Sequence, residues 1–217
     1  MTISPVRMIP AANVDHLDVL LLDDRGRLKP VRAAVYAALP VDHIRMWCFL
    51  HGVYGLPTLE LVEHIKGLIG GRRAIEIGSG NGCLGRALGI PMTDSYAQTK
   101  PEVLERFAAM GQPPVQYGED VEEADALEAV RRHKPEVVVG SWITEVYSDL
   151  TGAGSPFGVD EIELLSQVDS YIMFGSVRNH GTKVLCIRVH KMIREPYMYS
   201  RAQDPALFVW ENRGDRV

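Results

Sequence analysis

Short apolar runs alternate with helix-like segments between residues 72 and 176, and this alternation limits the possible folds more than any other feature of the sequence. Such a pattern is typical of a parallel sheet whose two faces are covered by helices. The run PEVVVGSW at 135–142 is apolar enough to be buried on both faces. We therefore predict a doubly wound α/β fold with a mostly parallel, seven-stranded sheet and a C-terminal antiparallel hairpin.

The sequence before the alternating region has apolar residues at helical spacing from residue 31 to 52. We predict that residues 1–57 form a mostly helical extension packed on the core. Residues 58–217 would then form a ligand-binding α/β domain, in one structural domain overall.

The secondary structure of two other segments is predicted from their charge and their position in the chain. We predict the third strand at 114–118 and a solvated loop for the acidic run at 118–125. Residues 182–193 fit a strand or a helix, and we prefer the helix because too few residues precede them for a crossover between parallel strands. The hairpin would then pair residues 197–200 with 207–212.

Composition limits the partners and the compartment. The net charge of −5 weakens any function that depends on neutralising a phosphate backbone, so we expect that nucleic acid is not the partner. Three scattered cysteines favour a reducing compartment, and no apolar run is long enough to cross a bilayer. We therefore expect a cytoplasmic protein without a membrane contact. The isolated Cys/His pairs are too far apart to predict a metal site, and the oligomeric state stays open.

A glycine loop follows the strand-like run at 74–77, with glycines at 78, 80 and 82. The loop lacks the Lys-Ser/Thr ending of a phosphate-binding loop. Residues 80–85 spell G-x-G-x-x-G, a weak dinucleotide signal on its own. The acid that would bind the ribose is expected about 20 residues further on, whereas Asp94 comes sooner. A pyrophosphate ligand is therefore disfavoured.

An acid, Glu76, stands just before these glycines. S-adenosylmethionine carries an ammonium and a sulfonium and no pyrophosphate, so a carboxylate attracts it where it would repel a diphosphate. The glycines let the backbone approach the ligand without Cβ clashes, and the following helix start offers N–H groups to the methionine carboxylate. We predict S-adenosylmethionine as the cofactor. The cofactor-binding residues of this loop are Glu76, Gly78, Ser79, Gly80, Asn81 and Gly82.

With this acid and these glycines, the sequence resembles the class I S-adenosylmethionine-dependent methyltransferases, which have a Rossmann-like fold. The resemblance covers roughly residues 58–176. It implies that Asp94 binds the ribose hydroxyls, that Asp125 and Ala126 lie near the adenine, and that Ser141 and Trp142 face cofactor and acceptor. Helix capping by either aspartate and core packing of the tryptophan are the alternatives.

Two further side chains belong to this expectation. Tyr54 is either a lid over the methionine end of the cofactor or a packed aromatic. Because sulfonium is already a good leaving group, a general base is optional. For a hydroxyl or protonated amine acceptor, His180 or His51 could take the proton.

The resemblance implies methyl transfer to an unidentified acceptor. The acidic balance favours a small molecule or a protein over nucleic acid. No Asn/Asp-Pro-Pro-aromatic tetrad and no Pro-Cys pair follows the fourth strand, which disfavours base amines, glutamine amides and pyrimidine carbons as acceptors. A non-catalytic cofactor-binding or scaffold protein with the same fold is the alternative. An NAD(P)-dependent oxidoreductase is a weaker one.

Overall fold

A mixed five-stranded sheet forms the centre of the computed structural model, which describes residues 14–188 and 191–212. Two further pairs of very short strands lie beside it. In chain order the strands are β1 (Gly55–Leu56), β2 (Ala74–Ile77), β3 (Thr93–Asp94), β4 (Glu122–Glu123), β5 (Val137–Ser141), β6 (Ser170–Ser176), β7 (Lys191–Ile193), β8 (Tyr199–Ser200) and β9 (Pro205–Glu211).

The central sheet has the order β2-β5-β6-β9-β7. β2, β5 and β6 are parallel, and β9 runs antiparallel between β6 and β7. Alternate side chains of β5 enter two apolar layers, because successive residues of a strand point to opposite faces. Val138 belongs to one layer, whereas Val137 and Val139 belong to the other. The apolar run predicted to be buried on both faces is therefore a central strand.

The pair β3-β4 continues the sheet at the edge formed by β2. The Glu76 amide donates to the Pro91 carbonyl oxygen at 2.8 Å, and the Ser79 amide donates to the Thr93 carbonyl oxygen at 3.0 Å. From β2 the chain thus goes first to β3 on one side and later to β5 on the other. In doubly wound sheets this change of direction opens a crevice at the carboxyl ends of the strands.

Local sequence signals explain the ends of several helices. Thr58 begins one helix, with its hydroxyl accepting a hydrogen bond from the Leu61 amide at 3.0 Å, and Gly70 ends it at φ 63°.

None of the helices in the described ranges is long and apolar enough to cross a membrane. The helices are α1 (Asp18–Leu21), α2 (Ala33–Ala37), α3 (Val41–Leu50), α4 (Leu59–Ile69), α5 (Cys83–Leu88), α6 (Pro101–Ala109), α7 (Ala126–His133), α8 (Glu161–Ser166) and α9 (Val177–His180).

Helices α1 to α3 build an apolar cluster of their own before the sheet begins. Trp47 is fully buried there, and its indole N–H donates to Asp18 at 2.7 Å. Cys83 of α5 belongs to the same cluster, so these helices pack against the α/β part of the chain. The division at residue 57 stays a prediction, and residues 1–13 of the predicted extension lie outside the described residues.

The C-terminal expectations were wrong in detail. The segment predicted as a helix, 182–193, contains a short 3-10 helix at Val184–Ile187 and then β7. The crossover argument assumed that the new strand lies next to β6, but β9 lies between them. The predicted hairpin is also replaced, because β8 pairs with β1 and β9 pairs with β6 and β7. The sheet is therefore mixed, rather than a mostly parallel seven-stranded sheet with a terminal hairpin.

The third strand was also misplaced. Residues 114–118 form no strand, and β4 lies instead inside the acidic run that was predicted as a loop. Because β4 pairs only with β3, over two residues, it needs no apolar side chains. The irregular segment 114–118 faces the site described next.

Candidate functional site

A cavity of about 630 Å³ opens at the carboxyl ends of β2, β3 and β5. Its size is within the range of about 300–1,000 Å³ that is typical of small-molecule sites. Helix α6 and the segment 114–118 line one part of it, and the loop after β5 lines another. Of the predicted site residues, the cavity wall includes Tyr54, Glu76, Gly78, Ser79, Gly80, Asn81, Asp94, Ser141, Trp142 and His180.

The glycine loop has the backbone shape that the sequence suggested. Gly78 and Gly80 have φ values of 54° and 53°, in the left-handed region that other residues rarely adopt. A Cβ on Gly78 would lie 2.4 Å from Cδ1 of Ile143. The loop therefore requires glycine at this position for its conformation, and an added Cβ would also displace the terminal methyl of Ile143.

We expect Gly78→Ala to lower the free energy of unfolding by about 2–3 kcal/mol, because the displacement of the Ile143 methyl adds to the left-handed strain. Gly111→Ala is the matched control, because Gly111 has φ 63° and nothing within 4 Å of an added Cβ. Its cost should be only the strain, about 1–2 kcal/mol. Urea unfolding of both variants measures the difference. Equal losses would show that the Ile143 contact does not constrain the loop.

Glu76 lies beneath this loop with only 1% of its surface exposed. Its Oε2 accepts a hydrogen bond from the Gly85 amide at 2.9 Å. Burial raises the pKa of this carboxyl to about 8, although the Gly85 amide and the Ser79 hydroxyl oppose the shift. The protonated form of Glu76 is therefore favoured at neutral pH as long as no cation lies beside it. A cation bound beside Glu76 would favour the carboxylate, so Glu76 would release its proton to the solvent.

Three backbone amides of the loop and the helix start already have acceptors within the protein. The Gly80 amide donates to Asp94 Oδ2 at 2.9 Å, and the Gly82 amide donates to the Ser79 carbonyl oxygen at 2.8 Å. The Cys83 amide, at the start of α5, donates to Asn81 Oδ1 at 2.9 Å. In this structure these three N–H groups donate to the protein itself, and binding of a ligand carboxylate by the helix start stays a prediction.

Asp94 fastens the end of β3 to the glycine loop. Its Oδ1 accepts from the Tyr96 amide at 2.9 Å, while its Oδ2 holds Gly80. Burial raises the pKa of this carboxyl, and the two amides counteract that shift. A carboxylate oxygen can accept more than one hydrogen bond, so a bound hydroxyl can still be accommodated. The rings of Tyr96 and Tyr117 stack beside it with centroids 4.0 Å apart, and Tyr117 lines the cavity.

Trp142 turns the chain sharply at the end of β5. Its φ of 60° is a strained value for a bulky residue, and such strain concentrates at functional sites. Its amide donates to the Phe174 carbonyl oxygen at 2.8 Å. The indole Nε1 is buried without a hydrogen-bond partner in the described structure. The Tyr54 ring is 5.8 Å away between centroids, so both aromatics belong to one wall.

His180 borders the cavity but is poorly suited to the predicted role of base. The Nδ1 of His180 lies 3.0 Å from the Ser176 amide nitrogen and 3.2 Å from the Ser176 carbonyl oxygen, and these two contacts favour opposite tautomers. Burial, aided by the positive charge of Lys183, lowers the pKa of His180 to about 4. At neutral pH the ring is therefore uncharged, and its edge meets Trp142 at 5.1 Å between centroids.

Three predicted cofactor residues do not line the cavity: Gly82, Asp125 and Ala126. Asp125 is exposed and begins α7, with its Oδ1 accepting from the Leu127 amide at 2.9 Å. This is the capping alternative that the sequence left open. The structure therefore does not place the Asp125-Ala126 pair with the other predicted site residues.

The sequence also missed residues of the cavity wall, notably Tyr117, Lys183 and Arg201. Tyr117 lies in the segment predicted as a strand, and Arg201 in the predicted hairpin turn. Lys183 lies in the segment 182–193, which fitted a strand or a helix. None of the three belongs to a motif, so no signal in one sequence singles them out.

Solved structures with partial similarity to this chain are found, although no family model and no curated protein sequence matches it. An rRNA methylase from Streptococcus thermophilus is 10% identical, with a TM-score of 0.40 over 69% of this chain and 93% of that chain. Precorrin 8W decarboxylase from Methanobacterium thermoautotrophicum is 13% identical, with a TM-score of 0.38 over 72% and 91%. The Pyrococcus abyssi tRNA (uracil-54, C5)-methyltransferase, in complex with S-adenosyl-L-homocysteine, is 13% identical. Its TM-score is 0.37 over 70% of this chain and 37% of that chain. Similarities at this level do not establish an activity for this chain.

Proposed function

We propose that this protein is an S-adenosylmethionine-dependent methyltransferase with an unidentified acceptor. One observation carries the proposal: a buried acid, a left-handed glycine loop and an aspartate from the neighbouring strand meet in one cavity, where doubly wound sheets bind ligands. Glu76 would attract the ammonium of the cofactor, and Asp94 would accept from its ribose hydroxyls. The resemblance noted in the sequence supports the same assignment.

The described side chains would act mainly by alignment and by excluding water. The strained Trp142 and the adjacent Tyr54 would form an apolar wall for the methyl group. Helix α6 has no buried residue, but Val103, Phe107 and Met110 line the cavity. A bound ligand would cover this apolar face. His180 would orient the acceptor as a neutral hydrogen-bonding ring rather than remove a proton from it.

The acceptor remains undetermined. A preference for a small molecule or a protein rests on the net charge of −5 alone. The comparisons give it no support, since two of the similar structures described above are RNA methyltransferases. The wall of the cavity offers a neutral histidine and aromatic surface, which suit several acceptor classes.

Calorimetric titration tests the cofactor. We expect S-adenosylmethionine and S-adenosylhomocysteine to bind with micromolar dissociation constants, and NAD and NADP not to bind. Asp94→Ala should weaken both adenosyl ligands at least tenfold if it holds the ribose. Asp120→Ala is the control, because Asp120 pairs with Arg86 on the surface and does not line the cavity. Binding of NAD instead of the adenosyl ligands would overturn the proposal.

Turnover separates an enzyme from a protein that only binds the cofactor. Wild-type protein would be incubated with S-adenosylmethionine and fractionated cell extract, and released S-adenosylhomocysteine would be quantified. Extract-dependent release is expected. Tight cofactor binding without release from any fraction would instead favour the non-catalytic alternative.

A further inference from the structure

Arg201 is a cation held at the cavity wall by contacts with two separate parts of the chain. Its backbone amide donates to the Tyr54 carbonyl oxygen at 3.0 Å, and its guanidinium lies 4.0 Å from the centre of the Tyr54 ring. Its Nη2 donates to Gln112 Oε1 at 3.2 Å. Gln112 Nε2 in turn donates to the Tyr54 hydroxyl at 2.6 Å, so the guanidinium is fixed in a closed set of contacts.

The charge of this guanidinium is not balanced within the described structure. No carboxylate of residues 14–188 and 191–212 forms an ion pair with Arg201 within 4.0 Å. Its Nη1 is shielded from solvent and has no hydrogen-bond partner. A buried donor without an acceptor is unfavourable, and an anion that reached this nitrogen after a small shift of the surrounding side chains would supply the missing acceptor. Arginine presents a planar pair of donors that matches a carboxylate or a phosphate.

The glycine loop offers only part of its backbone amides to a negative group. The amides of Gly80, Gly82 and Cys83 donate to acceptors of the protein itself, so a cation elsewhere in the cavity would strengthen the binding of a ligand carboxylate. Glu76 and Asp94 are both acids. A ligand with an ammonium and a carboxylate therefore finds acids beside the loop, and a cation elsewhere in the same cavity would stabilise its own negative group. Arg201 lines that cavity and is already oriented.

We propose that Arg201, oriented by Tyr54 and Gln112, is the anion-binding subsite of the cavity and takes a carboxylate or similar group. This inference rests on the proposed function. Two sources share the chemistry: the carboxylate of the cofactor's amino-acid tail, or an acidic group on the methyl acceptor.

The first experiment compares S-adenosylmethionine with its decarboxylated analogue, which keeps the ammonium and the sulfonium. If the cofactor supplies the anion, wild-type protein prefers S-adenosylmethionine at least tenfold, and Arg201→Gln removes this preference. Gln112→Glu should remove it too, because the new carboxylate would neutralise the guanidinium while leaving it in place. Arg194→Gln is the control, since Arg194 pairs with Asp204 at 3.0 Å and does not line the cavity. Thermal unfolding checks that each variant folds.

The second experiment tests the acceptor as the source. Protein saturated with S-adenosylhomocysteine is titrated with sodium acetate and then inorganic phosphate at constant ionic strength, while NMR follows the arginine Nε–H signals. A saturable shift of the Arg201 signal, with no difference between the two cofactor analogues, assigns the subsite to the acceptor. The inference is overturned if Arg201→Gln keeps the wild-type preference and neither anion shifts the signal.

These outcomes can be separated from failure of the proposed function. If wild-type protein binds none of the adenosyl compounds, the acetate and phosphate titration is carried out on the free protein. A saturable Arg201 shift then supports the anion subsite although the methyltransferase proposal has failed, and no shift rejects both.

Discussion

Glu76→Gln should abolish the pH dependence of cofactor binding and most of the binding itself. In the wild-type protein, affinity for S-adenosylmethionine should rise by up to about tenfold per pH unit between pH 6 and 8, because the ammonium favours the carboxylate over the protonated acid. The variant cannot ionise, so its affinity should be at least tenfold lower at pH 8. Calorimetry in buffers of different ionisation enthalpy measures the proton released from Glu76 on binding.

The same residue should make wild-type stability fall as pH rises. The carboxyl loses its proton near pH 4.5 when unfolded and near pH 8 when folded. Between these values the folded state holds more protons, so the free energy of unfolding decreases with pH and levels off above about pH 8. The resulting loss of stability reaches about 5 kcal/mol, since one pKa unit corresponds to about 1.36 kcal/mol.

Glu76→Gln is well matched for this measurement, because its amide oxygen can still accept from the Gly85 amide. Urea unfolding at pH 5 and pH 8 should show the wild-type protein losing several kcal/mol relative to the variant. The difference between the two proteins isolates Glu76 from the other titrating groups. Parallel stability curves for the two proteins would show that Glu76 ionises as freely in the fold as in the unfolded chain.

The features that could be predicted from the sequence are those in which the local structure requires a particular type of residue at a particular position. A left-handed backbone at Gly78 and Gly80 requires glycine, so the loop is visible as spaced glycines after an apolar strand. Thr58 is visible as a helix cap for a similar reason. The buried strand β5 can also be predicted, because its residues form an apolar run.

The missed features depend on contacts between distant parts of the chain. Arg201 reaches Gln112 across 89 positions, and nothing near either residue predicts that meeting. The strands β3 and β4 have two residues each, too few for periodicity to show. The C-terminal order was missed because β9 inserts between β6 and β7, which only the assembled sheet reveals.

Lys183→Met should be among the most destabilising single substitutions in the protein, costing about 3–5 kcal/mol at pH 7. Lys183 and Glu161 are only 4% and 3% exposed, and Lys183 Nζ donates to both carboxylate oxygens of Glu161 at 2.8 and 2.7 Å. The Tyr171 hydroxyl also donates to Glu161 at 2.7 Å. Removing the lysine leaves a buried carboxylate with one neutral donor.

The pH dependence of this loss has a definite sign. Burial raises the pKa of Glu161 even with Lys183 present, so the carboxyl without its partner takes up a proton more readily. Protonation removes the buried charge. The difference in stability between wild-type protein and Lys183→Met should therefore be smaller at pH 5 than at pH 8.

Two comparisons show that the loss comes from the unpaired charge. The double variant Glu161→Gln/Lys183→Met removes both charges and keeps an acceptor for Tyr171, so it should recover most of the stability. Lys66→Met breaks an exposed pair with Glu63 and should cost at most about 1 kcal/mol. If Lys183→Met lowered the free energy of unfolding no more than Lys66→Met does, the buried pair of Lys183 and Glu161 would not be what stabilises the cavity wall beside His180.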